Sequence, residues 1–256
     1  MARRIGVIAG IVAGAAFWQA PAAAQVGPAL DPGVMVGYAG GEANRYSLEK
    51  ARRQPRTAPA PALPLRTLGR SAFTPQAAAS RAAVDTRYTP SKAVTQRNVR
   101  QFVARTRAVD PAAAADLETS LRGGAFVDEI RAELPRYGLD GNDVADATAA
   151  YLVTAWYGAR GSDQDPSKAS LRAVSNQLAS AMAATPAFAT ADDATKQELA
   201  EAMMIHTIYI SAALAETGAD TARRATLAKA IGAGARNTFG FDMASLSLGD
   251  EGFSLK

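Results

Sequence analysis

The chain has 256 residues and a formal net charge of +4, but this total hides an imbalance between its two halves. Residues 25–108 contain 14 Lys and Arg against 4 Asp and Glu, whereas residues 109–256 contain 12 against 20. The lack of cysteine excludes disulfides, thiol nucleophiles and thiolate metal sites. With one histidine, His206, and no Glu-x-x-His motif, we expect no metal and no cofactor.

Residues 1–24 are typical of an export signal. Arg3 and Arg4 precede an apolar stretch, and Ala22 and Ala24 are small residues at the positions that a signal peptidase inspects. The apolar run is shorter than the roughly 20 residues that span a bilayer, which favours cleavage over an uncleaved anchor. We therefore expect an exported protein, periplasmic or secreted, with no transmembrane segment in the mature chain. The arginine pair leaves the twin-arginine route open.

Residues 25–70 are predicted to form a disordered, basic, proline-rich arm. The segment Pro55–Pro64 alone contains four prolines, which remove backbone donors and favour extended geometry. Large apolar residues are too sparse to offset the entropy of ordering. The positive charge predicts that the arm binds an anionic envelope component or an acidic protein, or folds back on its own domain. Nucleic acid is not expected, since export argues against it and the arm lacks interleaved aromatics.

Residues 71–109 are predicted to form a short helical segment. Phe73-Thr74-Pro75 and Tyr88-Thr89-Pro90 both resemble helix starts, since threonine can cap a helix and proline suits its first turn. The second start leads into an amphipathic helix over residues 94–107 with a basic face. Its apolar face is expected to dock on the following domain, and binding to anionic lipid is the alternative.

From residue 110 onward, Pro, Gly and Asp residues mark six helices without any alternating strand pattern. The predicted helices span about 110–123, 125–134, 142–157, 165–186, 191–217 and 221–234. The fold class is therefore all-α: a single bundle of about six helices over residues 110–256, preceded by the arm. Residues 236–256 are predicted to form an irregular C-terminal strap. Its Phe239, Phe241 and Phe253 either pack on the bundle or bind a partner.

The polar and aromatic residues of the helices supply the candidate sites. His206 lies on the inward stripe of the fifth helix, with Met203 and Ile210, so we interpret it as a core residue rather than a catalytic base. Two further groups are candidates for function, and the alternative for both is ordinary surface and core packing. They are a polar network of Asp146, Gln177, Gln197 and Glu201, and a shallow cleft formed by Trp156 and Tyr157 near Arg160.

Several short motifs occur in a familiar order. Asn142-Asp143-Val144-Ala145-Asp146-Ala147 is followed by Tyr151 and Trp156, then by Lys196-Gln197-Glu198, and finally by Gly252-Phe253. With the signal peptide and the arm, this order resembles an uncharacterised family of exported bacterial proteins, a domain of unknown function. The resemblance covers roughly residues 73–253 and implies no activity and no functional residue.

Three functional hypotheses remain open. The first is a non-enzymatic binding or structural module of the cell envelope. The second is a hydrolase-like enzyme that uses His206 or a helix carboxylate such as Asp146 or Glu201. The third is a chaperone-like or small-ligand-binding helical module, which would expose a contiguous apolar groove. The sequence does not predict the oligomeric state.

Overall fold

The computed structural model describes residues 65, 68, 72, 73, 85–107 and 111–256. The predicted signal peptide, nearly all of the predicted arm and the helix start predicted after Phe73 lie outside these residues.

The described part of the chain is mostly helical and contains eight α-helices and three 3-10 helices. The 3-10 helices span Arg122–Gly124, Leu134–Tyr137 and Met243–Ser245. The α-helices, in chain order, are α1 Lys92–Arg107, α2 Pro111–Ser120, α3 Ala125–Glu133, α4 Val144–Gly158, α5 Lys168–Ala183, α6 Pro186–Ala189, α7 Asp193–Glu216 and α8 Thr221–Phe239. The predicted all-α bundle is confirmed. The six helices expected after residue 110 are present, and α6 is an additional single turn that begins at Pro186.

Side-chain caps explain why the helix starts are visible in the sequence. Helices α4, α5, α7 and α8 each follow a residue whose side-chain oxygen accepts a hydrogen bond from a backbone N–H of the first turn; these caps are Asp143, Ser167, Asp192 and Asp220. Such caps satisfy donors that the helix itself leaves without a partner. One start differs from the prediction, because α5 is capped by Ser167 and not opened by Asp165.

The predicted end of α8 at Gly232 or Gly234 is wrong. The helix continues to Phe239 and ends at Gly240, whose φ of 77° lies in the left-handed region that glycine tolerates. A glycine in a helix interior costs about 1 kcal/mol relative to alanine. Burial of Ile231 and Phe239 on either side of the two glycines outweighs this cost.

The C-terminal strap is more regular than predicted. Leu246–Gly249 (β1) and Gly252–Leu255 (β2) pair as an antiparallel hairpin, with Gly249 opposite Gly252. The glycines flank its two-residue turn, and Gly252 has a φ of +94°. The alternative in which the phenylalanines pack on the bundle is confirmed. Phe239 and Phe253 are buried, and Phe241 packs half-buried against the same core.

Helix α4 lies at the centre of the bundle, and all residues from Val144 to Val153 are buried. Helix α7 packs along it, and α5 and α8 also contact it. Gly158 at the end of α4 permits a close approach of helices. A Cβ atom there would lie 2.9 Å from Ile231 Cδ1 and 3.1 Å from Ile210 Cγ2. Helices α7 and α8 therefore pack closely against the end of α4.

Helix α1 packs against α2 and α7 through its apolar face. Val99, Phe102 and Val103 are buried in a second, smaller apolar cluster that also includes Ile205 of α7. The chain reaches α1 through Tyr88, whose backbone N–H donates to the carbonyl of Asn142 at 2.9 Å. None of the described helices combines the length and the apolar character needed to cross a membrane.

Candidate functional site

A cleft of about 290 Å³ opens between α3, the 3-10 turn after it, α4, the loop after α4, and α7. Its walls are mainly apolar, and they include Ile130, Leu134, Leu171, Met204, Ile208 and Leu214. Small-molecule sites usually occupy about 300–1,000 Å³ and combine apolar walls with a few polar groups. The cleft has this character and lies at the small end of that range.

Helix α7 supplies one long wall of the cleft. Met204, Ile208, Ser211 and Ala215 line it, and their spacing of four, three and four residues places them on one face of the helix. This stripe is distinct from the one that contains His206. Only the His206 stripe was predicted from the sequence, although the second stripe has the same helical period and could have indicated the cleft.

Polar groups line the more exposed part of the cleft: the carboxylates of Glu133, Asp163 and Asp165 and the phenols of Tyr137 and Tyr157. Burial, followed by the negative charges of Asp165 and Glu133, raises the pKa of Tyr137 to about 12. The Tyr137 phenol is therefore neutral at physiological pH. Of the residues singled out from the sequence, only Tyr157 lines the cleft.

A buried polar network surrounds Glu201 of α7, which is 1% exposed. Its Oε1 accepts hydrogen bonds from Thr95 Oγ1 at 2.6 Å, Gln197 Nε2 at 2.8 Å and Arg131 Nη2 at 2.9 Å. Its Oε2 accepts from Asn98 Nδ2 at 2.7 Å. Three of these four donors lie on Oε1 and one on Oε2. Glu201 therefore joins α1, α3 and α7 in the interior of the bundle.

Gln197, one turn before Glu201, ties the start of α1 to α7. Its Oε1 accepts from the backbone N–H of Ser91 and its Nε2 donates to the carbonyl of Ser91, both at 2.9 Å. The side-chain amide thus pairs with both the N–H and the C=O of one backbone residue, as a neighbouring β-strand would. The buried side chains of Gln197 and Glu201 thus fix α1 in position.

Asp146 of α4 belongs to a separate network. It is 3% exposed and accepts hydrogen bonds from Ser175 Oγ, from the backbone N–H of Asp140 and, at 3.3 Å, from Arg172 Nη1. Burial raises the pKa of Asp146, and the hydrogen bonds from Asp140 and Ser175 oppose this shift.

Gln177 contacts the C-terminal hairpin and neither of these networks. Its amide pairs with the backbone N–H and C=O of Phe253 at 3.0 and 2.8 Å. The four residues predicted to form one network therefore lie in three separate locations, and of these four only Gln197 and Glu201 contact each other.

Trp156 and Arg160 hold the C-terminal strap. The indole Nε1 donates to the carbonyl of Leu246 at 3.0 Å. The guanidinium of Arg160 stacks 3.7 Å from the centre of the Trp156 ring, and its Nη2 donates to the carbonyls of Met243 and Leu246. Tyr157 packs edge-on against Trp156 and presents its other side to the cleft described above.

His206 is buried, with 6% exposure, between two aromatic rings. Its ring centroid lies 5.2 Å from that of Phe102 and 6.3 Å from that of Tyr151. It is not among the residues that line the cleft. Within the part of the chain that the structure describes, no three His, Asp or Glu side chains cluster as a metal ion requires.

Comparison with known proteins gives one match. The model of a family described as "Family of unknown function (DUF6683)" matches residues 3–256, a wider range than the resemblance in the sequence indicates. No curated protein and no solved structure matches the chain.

Proposed function

The chain belongs to this family of unknown function, and we propose that it is a non-catalytic binding protein that holds a small apolar molecule in the cleft between α3, α4 and α7. The observation that carries the proposal is the cleft itself, with its apolar walls and polar edge. Helical packing normally leaves few voids larger than a water molecule, so a space of about 290 Å³ favours a ligand.

The positions of the potential catalytic groups support binding over catalysis. A general base must reach a substrate proton and be oriented by a partner. Glu201 is buried and held by four donors, and His206 is buried beside two aromatic rings and is not among the residues that line the cleft. The cleft residues are instead suited to recognition, since they offer apolar contact and a few hydrogen-bonding groups.

We further propose that the protein acts outside the cytoplasm and contacts an anionic envelope component or an acidic protein through its basic arm. This rests on the signal-like residues 1–24 and on the excess of Lys and Arg in residues 25–108. Association through the arm should weaken steeply with salt. If deletion of residues 25–70 leaves binding to envelope fractions unchanged at low salt, the arm has no such role.

The cleft is tested with N-phenyl-1-naphthylamine, a neutral apolar dye whose fluorescence rises in an apolar site. We expect saturable binding to the mature chain. Ala215→Trp places a large ring in the cleft wall and should weaken this binding at least about tenfold, by occupying the space of the dye.

The matched control is Ala225→Trp, which adds the same ring to an exposed position of α8 outside the cleft. It should bind the dye like the parent chain. Thermal melting of both variants checks that they fold. No saturable binding by the parent, or equal binding by both tryptophan variants, would refute the proposal.

A further inference from the structure

The charged residues that line the cleft are all negative. Three of its lining residues are acidic, Glu133, Asp163 and Asp165, and no Lys, Arg or His is among the described residues that line it. The acidic residues come from two elements, the end of α3 and the loop after α4. A ligand in the cleft therefore meets negative charge that both elements contribute. Carboxylates in a partly apolar pocket attract cations more strongly than in open water, because the local dielectric is lower.

Two arginines pair with these carboxylates at the outside of the cleft. Arg136 Nη1 lies 2.9 Å from Glu133 Oε2, and Arg224 Nη1 lies 3.5 Å from Asp163 Oδ1. Each pair joins one exposed and one mostly covered side chain: Arg136 and Asp163 are 73% and 63% exposed, whereas Glu133 and Arg224 are 24% and 23% exposed. Partly exposed ion pairs are screened by salt, so they neutralise the carboxylates of the cleft only in part.

Two tyrosines accompany the carboxylates. Tyr137 and Tyr157 both line the cleft. The face of an aromatic ring attracts cations, and quaternary ammonium groups are commonly recognised by such rings together with carboxylates. The negative charges of Asp165 and Glu133 act on the Tyr137 phenol, so the ring and the two carboxylates share one region.

From this combination we infer that the ligand is an amphiphilic cation: an apolar chain or ring that carries an ammonium group. The apolar part contacts Met204, Ile208 and Leu214, and the ammonium group lies between the carboxylates and the two tyrosines. The inference rests on the proposed function, because it specifies the ligand of the same cleft.

The test uses three ligands with the same octyl chain: octyltrimethylammonium, 1-octanol and nonanoate, each competing with N-phenyl-1-naphthylamine at low salt. We expect the ammonium compound to bind about tenfold more tightly than the alcohol, and the carboxylate to bind most weakly. The double variant Asp163→Asn/Asp165→Asn should reduce the preference for the ammonium over the alcohol to less than about threefold, while the dye still binds.

The control Glu251→Gln removes an exposed carboxylate from the hairpin turn, outside the cleft, and should leave the preference unchanged. If the dye binds but the three octyl compounds compete equally, the cleft is an apolar site and the inference of a cation is wrong. The inference is equally wrong if Glu251→Gln lowers the preference as much as the double variant does. If the dye does not bind at all, the proposed function fails together with the inference.

Discussion

Replacement of Glu201 by alanine tests whether the buried network holds the bundle together. The change removes four hydrogen bonds and leaves Arg131, whose side chain is 13% exposed, without its buried partner. Breaking a buried ion pair costs about 3–5 kcal/mol. Arg131 keeps a second partner, Asp128 at 2.5 Å, so we expect the lower end of this range.

A loss of about 3 kcal/mol corresponds to a fall in Tm of roughly 6–12 °C for a chain of this size. The assay is thermal melting followed by far-ultraviolet circular dichroism. The control is Glu198→Ala, one turn away on α7, whose carboxylate is 36% exposed and lies 3.6 Å from Arg97. Such a surface pair contributes at most about 1 kcal/mol.

A double-mutant cycle with Arg131→Met isolates the ion pair from the other hydrogen bonds. The second change in this cycle is Glu201→Gln, which removes the charge. If the ion pair stabilises the fold, the loss in free energy of unfolding caused by Glu201→Gln should be smaller by about 0.5–3 kcal/mol in the Arg131→Met background than in the parent. The reasoning is refuted if Glu201→Ala melts as high as Glu198→Ala. Additive effects in the cycle would show that the carboxylate acts through its neutral donors alone.

Three further predictions concern other parts of the bundle. Burial raises the native pKa of Asp146 above its unfolded value, so the contribution of this carboxyl group to stability is lost as pH rises through the native pKa. In melting experiments, Asp146→Asn should therefore gain stability relative to the parent as pH rises above about 4, and a difference that is constant with pH would contradict this. Gly158→Ala should lower the free energy of unfolding by about 1–3 kcal/mol, because the new Cβ collides with Ile231. The control Gly232→Ala should be neutral or stabilising, since its new Cβ has its nearest neighbour at 3.7 Å. Equal melting temperatures of the two variants would refute the packing argument. Gln177→Ala should speed amide hydrogen exchange in β2 without changing exchange in α7, and unchanged exchange in β2 would show that the amide does not hold the hairpin.

The order of helices could be predicted because local signals control it. Caps such as Asp143 and Asp220 act on the first turn that follows them, and Pro186 excludes continuation of α5. The end of α8 could not be predicted in the same way. Gly232 is locally unfavourable, and its place in the helix depends on packing against α4, which the sequence does not display.

The candidate site was less predictable for a related reason. Gln197 and Glu201 are polar residues on an apolar helix, and the sequence indicates that such residues can meet. Their actual partners, Thr95 and Asn98, lie more than a hundred positions away on α1. The cleft depends on where α3 and the loop after α4 are placed around α7, so its residues share no motif. Only the second stripe of α7, beginning at Met204, gave a local signal for it.

Helix α7 contacts α1 at Glu201 and α4 at Ile210, and its Ile208 lines the cleft. It cannot turn or slide without disturbing all of these contacts at once. Under the proposed function, adaptation to ligands of different size therefore depends on the other segments that line the cleft. The loop at residues 162–166 is one such segment, and its side chains are mostly in contact with solvent. Sequence change in that loop can retune selectivity while the helical scaffold stays the same.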